Sequence, residues 1–294
     1  MTDTRSRNTL FLVLFFGAAL VTVGAAVVYV IVVLGVGTAR IPLGDAVAVV
    51  DVVGEIYYDR GKVEEINSYR DDSSVKAVVV YINSPGGGVA ASQAIYHALE
   101  RLRLEKPVVA SMASVAASGG YYVACGADSI VAQEGTLTGS IGVIASFLRT
   151  EELYRKVGLD VTVIKSGRWK DVGSPYREMT PEEREYMSRI LDSAYEQFLH
   201  AVSDGRGIAL DRVRTLADGR LYTGEQALAA GLVDRLGSHQ DAIDMAAHMA
   251  GIEGEPRIIR RRLRRSLFER VFGRSLLPLV RSREERVALR YIIP

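Results

Sequence analysis

The sequence predicts an α/β protein built on a mostly parallel sheet, and three observations carry that prediction. Short runs rich in β-branched residues, AVAVVDVVGEI from Ala46, VKAVVVYI from Val75 to Ile82 and PVVASM from Pro107 to Met112, alternate with helix-length segments. The runs are apolar at nearly every position instead of every second one, as expected for strands covered on both faces. The second and third lead into glycine-rich turns, Gly86 to Gly88 and Gly119 to Gly120, at the sheet edge where parallel folds collect their sites.

Taken in order, a polar head at 1–9 holds Arg5 and Arg7, and residues 10–36 contain no charged side chain. At 1.5 Å per residue that stretch is long enough to cross a bilayer. Its length, without a clear small-x-small site at its end, predicts an uncleaved transmembrane signal anchor over 10–37 and not a removable leader. The arginines ahead of it place the N-terminus in the cytoplasm and the main domain outside. After the strand from Ala46 come a polar helix around Lys62 to Arg70, the strand to Ile82, the glycine turn and a helical pattern from Val89 to Leu102. Further strands are expected at Ser129 to Ala132, Ile141 to Ile144 and Val161 to Lys165, with a helix near Glu151 to Val157. Thr180-Pro181-Glu182-Glu183 combines an N-cap, a proline at the first helical position and first-turn acids, and the helix it opens runs to about Ser203. Thr223 starts a short helix closed by Gly231, and His239 and His248 flank the last one.

Composition narrows the function. A formal net charge of +1 gives no global signature of nucleic-acid binding. One cysteine, Cys125, excludes an internal disulfide framework and any multi-cysteine metal site; it reads as core filler.

Ser118 is the residue on which a chemistry can be built. Small neighbours and the following Gly119 and Gly120 suit a tight strand-to-helix turn that exposes a hydroxyl, with the apolar Tyr121 to Ala124 as the helix behind it. On this stretch alone, helix capping by Ser118 is the stronger reading. The glycine turn at Gly86 to Gly88 alters the balance, because a donor N–H near Gly87 and a nucleophile at Ser118 can face one carbonyl. An oxyanion or a phosphate could sit at those glycines, but the absence of Gly-Lys-Ser/Thr after them argues against use as a P-loop.

A serine nucleophile needs a base. None of the four histidines, His97, His200, His239 and His248, has a motif-like setting. Among the six lysines, Lys62, Lys76, Lys106 and Lys156 read as solvated positions. Lys165 ends an expected strand, and Lys170 lies beside Trp169 in a long irregular segment, which makes Lys170 the choice. To act as base it must be neutral, and lowering an amine from about 10.4 to near 7 takes about 4 to 5 kcal/mol, which burial can supply. A salt bridge from Lys170 to Asp171 is the competing reading.

Four blocks, NSPGGG at Asn83 to Gly88, ASGGYYVA at Ala117 to Ala124, TGSIGV at Thr138 to Val143, and SGRWKD with SPYREMT between Ser166 and Thr180, together resemble the signal peptide peptidase A family in its short, single-anchor form. The glycine block alone is shared with the Clp protease subunit and crotonase-type enzymes. The resemblance covers about Ala46 to Ala250 and implies a crotonase/Clp-protease-like α/β fold. It implies Ser118 as nucleophile, Lys170 as general base, the N–H groups of Gly87 and Gly119 as oxyanion donors, and Ser140 as a lysine-orienting residue. It also implies a serine peptidase without metal or cofactor, assembled as a homo-oligomeric ring in which neighbours share in a site. The implied substrates are remnant signal peptides and other apolar peptides, at the membrane.

The expected organisation is therefore a cytoplasmic head at 1–9, an anchor at 10–37, a peptidase domain at 46–250 and a basic tail at 251–294. In the tail Leu263, Leu267, Val271 and Phe272 suggest an amphipathic helix, read equally as a membrane-surface anchor or as a tail that is solvated or packs on a neighbouring subunit. Nucleic acid is not an expected partner. Two rival functions are a protease dedicated to one membrane protein and a non-catalytic acyl-binding scaffold of crotonase type.

Overall fold

The computed structural model describes residues 16–26, 29, 44–260 and 290–292. Residues 16–26 and 29 are helical and lie inside the expected anchor; the rest of that span, the head and most of the basic tail fall outside the described residues. Among the described residues no helix is long and apolar enough to cross a membrane.

The main unit opens with β1 (Ala46–Val53), α1 (Arg60–Asp71), β2 (Val75–Ser84), β3 (Gly86–Gly88), α2 (Val89–Arg103), β4 (Val108–Ala117) and α3 (Gly119–Ala124). It continues with β5 (Ser129–Ala132), β6 (Leu137–Gly139), α4 (Glu151–Lys156), α5 (Pro181–Arg206), α6 (Leu210–Leu216), β7 (Leu221–Thr223) and α7 (Gly224–Ala230). Last come β8 (Arg235–Leu236), α8 (His239–Met249), β9 (Arg257–Arg260) and β10 (Arg290–Ile292).

The large sheet runs β7-β6-β4-β2-β1-β9, with β5 beside the first half of β4 and β8 beside β5. All its pairings are parallel except β6 with β7, so the sheet is mixed at one edge. The apolar runs are explained by two covered faces. Val47, Val49, Ala77, Val79, Val109 and Val131 pack against Ala242, Ile243, Ala246 and Ala247 of α8. Their neighbours Ala48, Val50, Val78, Val80 and Ala110 join the larger core with Leu99, Tyr121 and Phe198.

Three expectations need correction. Ile141 to Ile144 is not a strand of the sheet, and Val161 to Lys165 is not a strand at all: it is exposed, and among the described residues no strand pairs its backbone. A β-branched run carries the propensity, but a strand needs a neighbour. The chain after Ala250, read as tail, still contributes to the sheet, since Arg257 to Arg260 pairs in parallel with Ala46 to Val49. Leu263, Leu267, Val271 and Phe272 lie outside the described residues.

The capping signals hold. Thr180 and Glu183 form a reciprocal capping box at the start of α5, with Pro181 as first residue, and Gly207 closes the helix in the left-handed region at φ 62°. Thr223 with Gln226 caps α7, and Ser238 with Asp241 caps α8.

Candidate active site

Ser118 joins the end of β4 to the start of α3 with φ 53° and ψ −117°. L side chains avoid this conformation, and among the described residues the only other non-glycine residue at positive φ is Ser140, at 48°. Such residues cost about 1 to 3 kcal/mol each and persist only where the surroundings fix them. Here the ties are explicit. The Ser118 N–H donates to the Gly139 carbonyl at 2.7 Å, and the Ser140 N–H to the Arg220 carbonyl at 2.8 Å. The buried Thr138 hydroxyl donates to the Ala116 carbonyl at 2.6 Å, clamping β6 to β4 just before the turn. Ser118 occupies the N-cap position of α3, yet its side chain makes no capping hydrogen bond.

Behind the turn, α3 has six residues, all buried, and needs external anchors. The Tyr121 hydroxyl donates to the Leu232 carbonyl at 2.9 Å. Tyr122 packs edge-on against Tyr96 at 5.1 Å and tilted against Phe198 of α5 at 4.9 Å. Cys125 is fully buried, and burial pushes its thiol up to about 12, in keeping with core filler.

The glycine turn meets the serine turn backbone to backbone. A Cβ on Gly119 would lie 2.5 Å from Ser92 Oγ, 3.1 Å from the Gly87 nitrogen and 3.2 Å from Gly86 Cα. A Cβ on Gly87 would lie 2.2 Å from the Ile56 carbonyl oxygen, so only glycine allows this approach. The structure thus brings Ser118, Gly119 and Gly87 together, with Ser140 one residue beyond the carbonyl that holds the Ser118 backbone.

Lys170 is placed differently. Residues 155–170 are all exposed, and the Lys170 amine makes no ion pair or hydrogen bond among the described residues, with Ser118, Ser140 or any other group. Asp171, the competing partner, is engaged elsewhere. It pairs with Lys165 and accepts from Arg177 Nε at 2.9 Å, and Arg177 also reaches Glu183 at 2.5 and 2.7 Å. The Arg177 guanidinium, followed by Lys165, holds the Asp171 carboxyl well below the usual carboxylate range. Arg177 and the Thr180 N–H lower Glu183 to about 2. This ion network pins the segment to the first turn of α5 and leaves the Lys170 amine uncommitted. Trp169 stacks on Tyr186 of α5 at 5.0 Å, with the Arg168 guanidinium 4.7 Å above its ring.

Sequence reasoning missed Ser92, fully buried in the first turns of α2, whose hydroxyl has no hydrogen-bond partner among the described residues and lies against Gly119. One small hydroxyl in a helix carries no pattern that would single it out. It also misjudged two lysines. Half-buried Lys106 donates to the carbonyls of Tyr69 and Asp72, both at 2.7 Å, and half-buried Lys62 pairs with the buried Glu65 at 3.0 Å. Of the histidines, His97 pairs with Glu100, and His239 bonds the Ser111 hydroxyl at 3.1 Å, seven residues short of the turn. Among the described residues no group of His, Cys, Asp or Glu could hold a metal ion.

Comparison with known proteins bears on this arrangement. Residues 100–253 match the model of peptidase family S49, and residues 63–132 match that of Clp protease. A Synechocystis protein provisionally named as a protease is 46% identical over 183 residues, covering 62% of this chain and 66% of that protein. A Methanocaldococcus jannaschii protein, also provisionally named as a protease, is 36% identical over 231 residues and 74% of each chain. An Enterococcus faecium protein provisionally named signal peptide peptidase SppA is 39% identical over 191 residues, 65% of this chain and 56% of its own length. Fold and comparisons define a serine peptidase, a hydrolase with a Clp-protease-like α/β fold. The chain belongs to peptidase family S49.

Proposed function

We propose that the chain is a membrane-anchored endopeptidase that cleaves remnant signal peptides and other apolar peptides, with Ser118 as nucleophile and Lys170 as general base. The observation that carries the reading is the strained, uncapped Ser118, whose next residue, Gly119, lies against the backbone of Gly86 and Gly87. In the reaction, the neutral Lys170 amine takes the Ser118 proton as Oγ attacks the peptide carbonyl. The Gly87 and Gly119 N–H groups hold the oxyanion, each such donor being worth about 2.7 to 4 kcal/mol. The protonated amine then passes its proton to the leaving nitrogen, and water repeats the sequence on the acyl-enzyme to free Ser118. Ser140, beside the same backbone tie, orients the amine.

The base reaches the serine through assembly in this reading. Lys170 lies on a segment that exposes Leu148, Leu153, Val157, Leu159, Val163 and Ile164, an apolar surface that a neighbouring copy in a ring would cover. Covering it would also desolvate the amine, the condition for its neutrality. A groove beside the glycine strand, lined by Val89, Tyr186, Ile190 and Ala194 together with Arg189, Ser193 and Gln197, offers a largely apolar surface to side chains of a peptide. The charge-free stretch 10–36 supplies the membrane anchor, with the catalytic unit outside the cytoplasm. The test is cleavage of unstructured apolar peptides by the full chain and its variants. Loss of cleavage in both Ser118→Ala and Lys170→Ala, with peptides trapped by the former bearing apolar signal-like segments, is the expected result. Undiminished cleavage in either variant would end the proposal.

A further inference from the structure

The buried hydroxyls of Ser84, Ser111, Thr136 and Thr138 each have a partner. Ser84 Oγ accepts from the Gly86 N–H at 3.1 Å, and the Ser111 hydroxyl bonds His239 at 3.1 Å. Thr136 and Thr138 donate to the carbonyls of Ala113 and Ala116 at 2.7 and 2.6 Å. Ser92 is the exception: it is fully buried, and its Oγ has no hydrogen-bond partner among the described residues. A buried hydroxyl in that state destabilises a fold, and alanine would not carry the penalty. Relief lies close at hand, since a serine inside a helix can donate to the carbonyl four residues back, here that of Gly88. The Ser92 oxygen stands against α3 instead, 2.5 Å from the point where a Cβ on Gly119 would lie. The Gly87 nitrogen is 3.1 Å and Gly86 Cα 3.2 Å from that same point.

Ser92 thus sits where the two turns meet, on the helix that follows Gly86–Gly88 and against the helix that follows Ser118. The two proposed oxyanion donors, the N–H groups of Gly87 and Gly119, belong to these separate turns. Two donors hold one oxygen only if each comes within about 2.7 to 3.1 Å of it, so the spacing of the turns sets the quality of the hole. In a close-packed interior that spacing follows from the atoms in between. Serine has one heavy atom beyond Cβ; alanine would leave a gap against Gly119, and a bulkier side chain would push the turns apart. We infer that Ser92 is a positioning residue for the oxyanion hole: its hydroxyl oxygen, wedged between α2 and Gly119, fixes the spacing of the Gly87 and Gly119 N–H groups. The inference rests on the reading of those two groups as oxyanion donors. It also accounts for the orphan hydroxyl, which the fold retains for its size and place and not for a hydrogen bond.

The test compares the full chain with full-chain Ser92→Ala and Ser92→Gly. Four quantities are measured: kcat and KM for an unstructured apolar peptide, affinity for a peptide boronic acid, and stability in denaturant. The boronic acid forms a tetrahedral adduct on the serine oxygen and sets an oxygen between the two donors, as the reaction does. In Ser92→Ala kcat should fall by at least about tenfold, and further in Ser92→Gly, with affinity for the boronic acid falling in parallel. KM should stay within about twofold of the parent, because the ground-state peptide makes less use of the hole. Ser92→Ala should be at least as stable as the parent, a result that a merely structural role would not give. A kcat within about twofold of the parent in both variants, or a fall in kcat with boronic acid affinity unchanged, would overturn the inference. So would recovery of kcat in Ser92→Ala on adding a stabilising osmolyte, which would assign the loss to unfolding. Cleavage that survives Ser118→Ala would end the catalytic reading itself, whereas cleavage that needs Ser118 but not Ser92 would end this inference alone.

Discussion

Every residue from Ala116 to Ala127 is buried, whereas every residue from Arg155 to Lys170 is exposed. The first stretch carries the proposed nucleophile and the second the proposed base, and they differ in how they are held. The Ser118 turn is fixed by strands on either side of β4, by the Gly86–Gly87 backbone against Gly119 and by an aromatic stack from α2 and α5 on Tyr122. Lys170 is held through a network of charged side chains at the start of α5. A site divided in this way has one half assembled by folding of the chain and one half that still presents apolar surface to solvent.

The largest expected effects separate these halves. Ser118→Gly should lose cleavage by at least about 10⁴-fold, because the proposed nucleophile is gone. It should also stabilise the fold by roughly 1 kcal/mol in denaturant titration, because glycine relieves the positive φ. A loss of stability in that variant would show that the turn is not strained. Lys170→Met should abolish cleavage to a similar degree while leaving stability within about 0.5 kcal/mol, as expected for an exposed side chain. If a neighbouring copy supplies the base, co-assembled Ser118→Ala and Lys170→Ala chains should recover about a quarter of the parent activity, since a random mixture pairs an intact serine with an intact lysine at one interface in four. No recovery would place both groups in the same chain.

Smaller effects probe the supports. Gly119→Ala should destabilise by about 1 to 3 kcal/mol, since its Cβ meets Ser92 Oγ and the Gly87 nitrogen. Adding Ser92→Gly should return part of that loss, and a double mutant no better than the single one would show that the backbone contact dominates. The network on the Lys170 side predicts an acid response. Glu183 is lowered from its usual value of 4.5 to about 2, so its contribution is present above pH 4.5 and is lost as pH falls toward 2. Arg177→Met should remove that dependence, which unfolding curves at pH 3 and pH 6 would show as a smaller difference between the two pH values than in the parent. Least of all should happen at Cys125: with its thiol pushed up to about 12 by burial, native protein at pH 8 should resist alkylation that unfolded protein undergoes at once.

The half of the molecule built by its own core was also the half legible in sequence. Buried parallel strands write themselves as β-branched runs, and a tight turn writes itself as consecutive glycines, so β1, β2, β4 and the Ser118 turn could be placed from composition and order alone. Val161 to Lys165 has the same strand propensity but no strand neighbour among the described residues, and propensity cannot report a missing partner. Arg257 to Arg260 shows the reverse: flanking arginines made an edge strand look like a solvated tail, although β1 had a free side waiting for it. The Arg177 relay was hidden for another reason. Charged residues at six-residue spacing in an irregular segment have no periodicity to reveal which of them will meet.

The long helix α5 touches both halves. Its first turn receives Arg177 through Glu183, and its body presents Phe198 to Tyr122, four residues from Ser118. Twenty-six residues of unbroken helix make a strut about 39 Å long. The lysine-bearing arm and the wall behind the serine are thus tied to one stiff lever, so a neighbour seated against the arm, as in the proposed ring, would also brace the turn from the rear.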